Sequence, residues 1–363
     1  MHHHPTRPGT PATPQPTVGD LFLNAPKTFL LALTLALAAA LAGPALAQDK
    51  KIIELRYSSG APPKGNPWVT QIERFAKHVE EESKGELKIA PFFASQLGSE
   101  QDTVQQVARG RIEMGGYSAG AAALVVPEVA LLLMPFYFRT VEELDCVLDK
   151  HLTTLVTELF DKKGVKFLGW TEVGSIELFG KKALMTPKDL NGVKAAAYAN
   201  KTQTLFFSSL GASPNPLGLP EWIPAFQTGM AEVVLTPITF ALPSGLTKVA
   251  PVVSKLGVYD APALTLMNKA TYDKLPKPLQ DALLRAGDRT PASQYRSEVR
   301  GFENVLYGMH EKAGGQIVVG SQAQRDVWRT AMEPIYPKIV EETGGTSKAF
   351  FAALEAGRKA CTK

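Results

Sequence analysis

The residue types that do acid–base, nucleophilic or metal chemistry occur in this 363-residue chain, but not in spacings that assemble a site. It has no glycine-rich phosphate loop of the G-x-x-x-x-G-K-[ST] form and no H-E-x-x-H pair. His78, His151 and His310 fall in segments of helical periodicity and are expected on helix surfaces, and Glu80-Glu81-Glu82 reads as a solvated helix end. No catalytic residue, metal ligand or cofactor is therefore assigned. What the sequence offers instead is recognition chemistry. The small, polar stretches Ser58-Ser59-Gly60 and Gly116-Tyr117-Ser118 each follow a short apolar run. Ligands of open α/β sheets bind beyond such strand ends.

The elements that must position these turns can be read locally. Residues 52–57 form a strand, and Asn66-Pro67 then opens a helix, with Asn as cap and Pro at the first helical position. Trp68, Ile72, Phe75 and Val79 make one apolar face on that helix, which Lys84-Gly85 ends. A strand over 87–92, a helix over 99–109 and a short strand over 112–115 follow. Strands separated by helices pair in parallel, because a parallel pair needs a long crossover. A second unit begins near 165–170 and repeats this ground plan: a strand over 193–198, a helix over 202–210, a Pro-rich loop over 214–220, a helix over 221–228 and a strand over 231–236. Residues 270–312 and 322–360 are helical by period, with a strand at 316–319 between them. The predicted fold is α/β with two lobes, each a mixed or parallel sheet flanked by helices, and a ligand cleft between them.

The N-terminus reads as an export signal. Lys27 precedes the apolar run 29–42, and Ala45-Leu46-Ala47 has small residues at both recognition positions of a cleavage site. The run is shorter than the ~20 residues that span a bilayer. Residues 1–47, with a Pro/Thr-rich beginning and His2-His3-His4, are therefore set aside as a removed leader, which places the mature protein in the periplasm. The mature part carries 37 Lys and Arg against 34 Asp and Glu, a net +3, too mild for a nucleic-acid partner. Cys146 and Cys361 are the only cysteines, and export leaves a bridge between them open if the fold brings their α-carbons within about 7 Å.

Several ordered stretches carry a family resemblance. They are Gln96-Leu97-Gly98-Ser99-Glu100, Val107 to Met114, Leu133 to Arg139, Pro187 to Lys194, Leu210 to Pro214, Phe226 to Gly229 and Lys274-Leu275-Pro276. Over about residues 50–345 the chain resembles the dicarboxylate-type substrate-binding proteins of tripartite ATP-independent periplasmic (TRAP) transporters. The resemblance implies a two-lobed receptor that closes on a small-molecule ligand and delivers it to membrane permease subunits, without catalysis, as a monomer or homodimer. It implies a long helix bracing both lobes. The first lobe is expected over 48–173 with about 262–301, and the second over 174–261 with about 302–363.

The departures from the family pattern concern the ligand. Family members carry an arginine, pairing with the ligand's carboxylate, where this chain has Ala196, and often a second one where it has Ile176. Thr236 stands where a ligand-contacting Asn is usual, and Leu219 where several relatives have an aromatic. A buried carboxylate needs a paired cation, so the expected ligand is apolar, aromatic or lipid-like. The candidate walls are Tyr117, Trp170, Tyr198, Trp222, Phe240 and Tyr259, with Ser59, Gly116, Glu172, Thr236 and Thr239 as polar or close-approach positions. Two alternatives stay open. One is a carboxylate ligand held by a substitute cation, Lys181, Lys182, Lys194 or Lys201; the other is presentation of the ligand to a sensor kinase.

Overall fold

The structure is a computed structural model that describes residues 52–198 and 201–362, so the expected leader lies outside it. Strand β1 (Ile53–Ser58) leads to helix α1 (Pro67–Glu82), where the Asn66 side chain accepts the Val69 N–H at 3.2 Å. Such a cap contributes about 1 kcal/mol. The apolar stripe of α1 is buried at Val69, Ile72, Phe75 and Val79. Strand β2 (Leu87–Phe92), helix α2 (Glu100–Ala108, capped by Ser99) and strand β3 (Met114–Ser118) complete a unit in which β2 and β3 both run parallel to β1. Helices α3 (Ala119–Ala122), α4 (Val141–Val147) and α5 (Thr153–Lys162) lead on to strand β4 (Val165–Gly180).

The ground plan then recurs as β5 (Lys194–Ala197), α6 (Lys201–Ser209), β6 (Ser213–Pro216), α7 (Leu219–Thr228) and β7 (Val233–Pro237), with β6 and β7 parallel to β5. After α8 (Ile238–Ala241) comes strand β8 (Val252–Asn268). The chain ends with α9 (Lys269–Lys274), α10 (Lys277–Asp288), α11 (Ala292–Lys312), β9 (Gln316–Val319), α12 (Gln322–Met332), α13 (Tyr336–Thr343) and α14 (Ser347–Cys361).

All nine strands join one mixed sheet in the order β2-β1-β3-β8-β4-β7-β5-β6, with β9 beside β8. The antiparallel pair β4/β8 links the two parallel units. The C-terminal part of β8 pairs with β3 and its N-terminal part with β9, while the C-terminal part of β4 pairs with β7. The β4/β8 register shifts between Glu172 and Gly174. Gly174 has φ +126, and a Cβ there would lie 2.4 Å from Glu303 Oε1, so the crossing point requires glycine. One core, with Leu55, Phe75, Val79 and Leu283, lies under the first unit; another, with Phe179, Trp222, Phe226 and Tyr307, lies under the second; a third, from Val104 to Leu354, is shared by both.

Four local readings are corrected. Residues 213–216 are an edge strand rather than loop; Pro214 and Pro216 are tolerated there because an edge leaves N–H positions unpaired. β4 continues ten residues past Trp170, and β8 is a strand of 17 residues absent from the sequence reading. His310 is buried, its Nε2 lying 3.0 Å from the Pro251 carbonyl and its ring filling the space a Cβ at Gly315 would need. Helix α14 packs on α4 and the segment 127–152. The Cys146–Cys361 disulfide, with α-carbons 5.9 Å apart, ties α14 to α4.

Candidate functional site

The crossing strands, the C-terminal ends of β1, β3 and β7, and helices α1 and α11 enclose a cavity of about 1110 Å³. Small-molecule sites usually span roughly 300–1,000 Å³, so the space exceeds what a single small solute needs. Both strand-end turns reach it. Ser59 and Gly116 are in the wall, and a Cβ at 116 would meet Tyr57 Oη at 2.6 Å, so the glycine leaves room for that hydroxyl.

Eleven of the fourteen expected ligand positions line this cavity: Ser59, Gly116, Tyr117, Trp170 and Ile176 among them, with Tyr198, Leu219, Thr236, Thr239, Phe240 and Tyr259 on the remaining wall. Their polar atoms are largely engaged already. Trp170 Nε1 donates to Thr153 Oγ1 at 2.9 Å, and Thr239 Oγ1 donates to the Val173 carbonyl at 3.5 Å. Gln203 bridges two aromatic positions, accepting the Tyr198 N–H at 2.9 Å and donating to Tyr259 Oη at 3.1 Å. Burial holds the Tyr198 hydroxyl well above the ordinary tyrosine range and lifts that of Tyr259 to about 12, so both are neutral donors or acceptors.

Three expected positions lie outside the wall. Glu172 is buried and turned to the protein interior, where Arg300 of α11 binds it with Nε–Oε1 at 2.9 Å and Nη2–Oε2 at 2.6 Å. Its own carbonyl accepts the Trp68 Nε1–H at 2.7 Å. Ala196 faces the core of the second unit. Trp222 lies in that same core, stacked edge-on between Tyr198 (5.3 Å) and Phe240 (5.8 Å), with its N–H directed to the Leu217 carbonyl. It supports the wall rings from behind.

Among the described residues, no arginine is in the wall, and Lys166 is the one lysine there. Lys166 faces Asp161 at 3.8 Å and the Tyr272 ring at 5.6 Å. The four substitute cations considered from sequence are elsewhere: Lys194 Nζ donates to the Gly229 carbonyl, Lys201 Nζ to the Glu342 carbonyl, and Lys181 and Lys182 are exposed. The arginines of α11, Arg296 buried and Arg300 half-buried, are satisfied internally, Arg296 by Asp149 (2.8 Å, two bonds) and Arg300 by Asp145 (2.8 Å, two bonds) together with Glu172.

The reading from sequence did not single out Trp68, Phe75, Phe167, Gln203 or Glu100 as wall residues. Trp68 and Phe75 were read only as a helix face, and Glu100 only as part of a resembling stretch. A further motif needs a structural answer. Gly116-Tyr117-Ser118-Ala119-Gly120 has the G-x-S-x-G spacing of a hydrolase nucleophile elbow, and Ser118 does stand at a strand-to-helix turn. However, Ser118 Oγ donates to Glu100 Oε2 at 2.9 Å and accepts the Ala121 N–H, and no histidine is in the cavity wall to activate it. The motif here serves as a helix cap. Among the described residues, one group of potential metal ligands converges, Cys146, His151 and Cys361, and the disulfide consumes both sulfurs.

Comparison with known proteins follows the same lines. Residues 58–343 match the model of the DctP family, bacterial extracellular solute-binding protein, family 7. The chain is 31% identical over 290 residues to a solute-binding protein of Verminephrobacter eiseniae, covering 80% of this chain and 84% of that protein. It is 27% identical over 280 residues to the 2,3-diketo-L-gulonate-binding periplasmic protein YiaO of Escherichia coli, covering 76% and 85%. Its fold is similar to the crystal structure of a TRAP periplasmic solute binding protein from Roseobacter denitrificans with bound beta-D-glucuronate: TM-score 0.77, 24% identity, 84% of this chain and 99% of that one.

Proposed function

The chain belongs to the bacterial extracellular solute-binding proteins of family 7, receptors rather than enzymes, and on that premise we propose that its cargo is a solute with an apolar body. The observation that carries this reading is the absence, among the described residues, of any arginine from the cavity wall, with Ile176 in that wall and Ala196 in the core of the second unit. A carboxylate ligand moved into such a cavity would lose water without gaining a planar partner. Removing one member of a buried charge pair costs about 2–5 kcal/mol. Trp68, Phe75, Phe167, Trp170, Phe240 and the tyrosines offer apolar contact instead, at roughly 25 cal/mol per Å² buried.

Two of the relatives named above are described by sugar acids, one as 2,3-diketo-L-gulonate-binding and one with bound beta-D-glucuronate; the wall of this cleft favours a different cargo. A carboxylate reading with a substitute cation rests on Lys166 alone, which already faces Asp161. The receptor acts in the periplasm after cleavage behind Ala47 and hands its solute to the membrane permease of a TRAP system. Its lobes divide at 173/174 and 261/262, a division supported by the β4/β8 register shift between Glu172 and Gly174. They close on the ligand as this fold class does.

A thermal-shift panel tests the cargo. Neutral aromatic and aliphatic compounds that bind are expected to raise the melting temperature by about 4 °C at a hundredfold excess over Kd. Hexuronates, aldonates and C4-dicarboxylates are expected to leave it unchanged. Stabilisation by the acids with none from the apolar compounds contradicts the reading.

A further inference from the structure

The cavity wall holds a carboxyl group that no cation pairs with among the described residues. Glu100, the first residue of α2, lines it, and the carboxylate is held by the Ser118 N–H at one oxygen and by Ser118 Oγ, at 2.9 Å, at the other. No arginine or lysine forms an ion pair with it among the described residues, whereas Glu172 and Glu113 each take an arginine. Its field reaches both sides of the cleft. The hydroxyls of Tyr117 on β3 and Tyr198 beyond β5 are raised by burial first, and Glu100 adds to the effect in each. Burial likewise pushes the Glu100 carboxyl upward, against its two bonds from Ser118. A carboxylate with spare lone pairs, fixed by two donors on a rigid turn and facing an apolar space, is the electrostatic reverse of an arginine anchor. A ligand that brings a positive charge would supply what the protein leaves out.

We infer that Glu100 is a specificity-determining residue that receives a protonated amine on a ligand whose apolar body fills the remaining cavity. This rests on the apolar reading of the cleft and adds the head group to it. The fixed geometry matters. Ser118 closes β3 and caps α3, so the carboxylate is oriented before the ligand arrives and little ordering remains to be done on binding.

The test uses one skeleton with three heads: 3-phenylpropylamine, 3-phenylpropan-1-ol and 3-phenylpropanoate, each titrated calorimetrically into the disulfide-intact protein. The amine is expected to bind at least tenfold more tightly than the acid. Glu100→Gln, which keeps the acceptor for Ser118 N–H, is expected to weaken the amine roughly 10–100-fold and to move the alcohol less than threefold. Glu100→Asp, which keeps the charge, should retain the preference for amine, and the unliganded melting temperature of each variant reports that it folds. Tighter binding of the acid by the wild-type protein, or an unchanged amine affinity in Glu100→Gln, overturns the inference. If the alcohol binds and the amine is no better than the acid, the role of Glu100 fails while the apolar reading survives. If none of the three binds, the apolar reading fails and takes the inference with it.

Discussion

Replacing Arg300 by methionine is expected to lower the unfolding free energy by about 3–5 kcal/mol, because it strands the buried Glu172 carboxylate without its partner, while Asp145 keeps Arg296. Arg300 makes four hydrogen bonds to two carboxylates, those of Glu172 on β4 and Asp145 on α4. Glu172 is 2% exposed, so water cannot replace the guanidinium. Burial lowers the Arg300 guanidinium's proton affinity, but the two carboxylates more than reverse that and hold it above the usual arginine value. The same burial raises the Glu172 carboxyl even against Arg300. In Arg300→Met that carboxyl rises further and takes up a proton at low pH. The deficit, measured by urea denaturation, should therefore be larger at pH 8 than at pH 5. Adding Glu172→Gln to Arg300→Met should recover a large part of it. A deficit below 1 kcal/mol at both pH values would mean that the network braces nothing. Because Glu172 also receives the Trp68 N–H, the effect should reach the cavity wall.

Glu303→Gln is expected to act in the opposite direction. Glu303 projects from α11 to the β4 crossing, where Oε1 accepts the Ser175 N–H at 2.7 Å. Burial lifts its carboxyl to about 9, the Ser175 bond pulls it down, and Asp260, Glu172 and Glu177 raise it further. Glu177 nearby is lifted to about 7, mainly by burial, while accepting the Leu256 and Gly257 N–H groups. The folded protein thus holds a proton on Glu303 that the unfolded chain releases above the ordinary glutamate value of 4.5. Stability from this group is complete below that unfolded value and is lost as pH rises through the folded one. The loss is about 1.4 kcal/mol per pH unit across the window. Glutamine keeps the acceptor and cannot ionise. The variant should match the wild type near pH 5 and exceed it by roughly 3–5 kcal/mol at pH 8. Parallel stability curves for the two proteins between pH 5 and pH 9 would contradict this account of the β4 crossing.

What the sequence conveyed follows from how local each feature is. The cap at Asn66, the strands 87–92 and 316–319 and the recurring parallel unit depend on neighbours within a few residues, and each was legible. The strand 213–216 was not, because its two prolines read as a loop until an edge position accounts for them. β8 escaped because Gly257 and Pro262 interrupt its run and its partners lie far away in the chain. The candidate site divides the same way. Rings at strand ends reached the cleft as their positions suggested. Glu172 did not, since its partner Arg300 stands 128 residues away and nothing near Glu172 announces it. Trp222 went to the core because helix α7 buries that face, with Phe226 beside it. Glu100 needed the cavity itself to be seen.

The absence of a cationic anchor is the centre of this account, and the retained ligand tests it most directly. Native mass spectrometry of the protein exported to a bacterial periplasm and purified without denaturation should show a bound species that partitions into organic solvent on release and carries no carboxylate. A hexuronate, an aldonate or another small carboxylate as the retained species would contradict it.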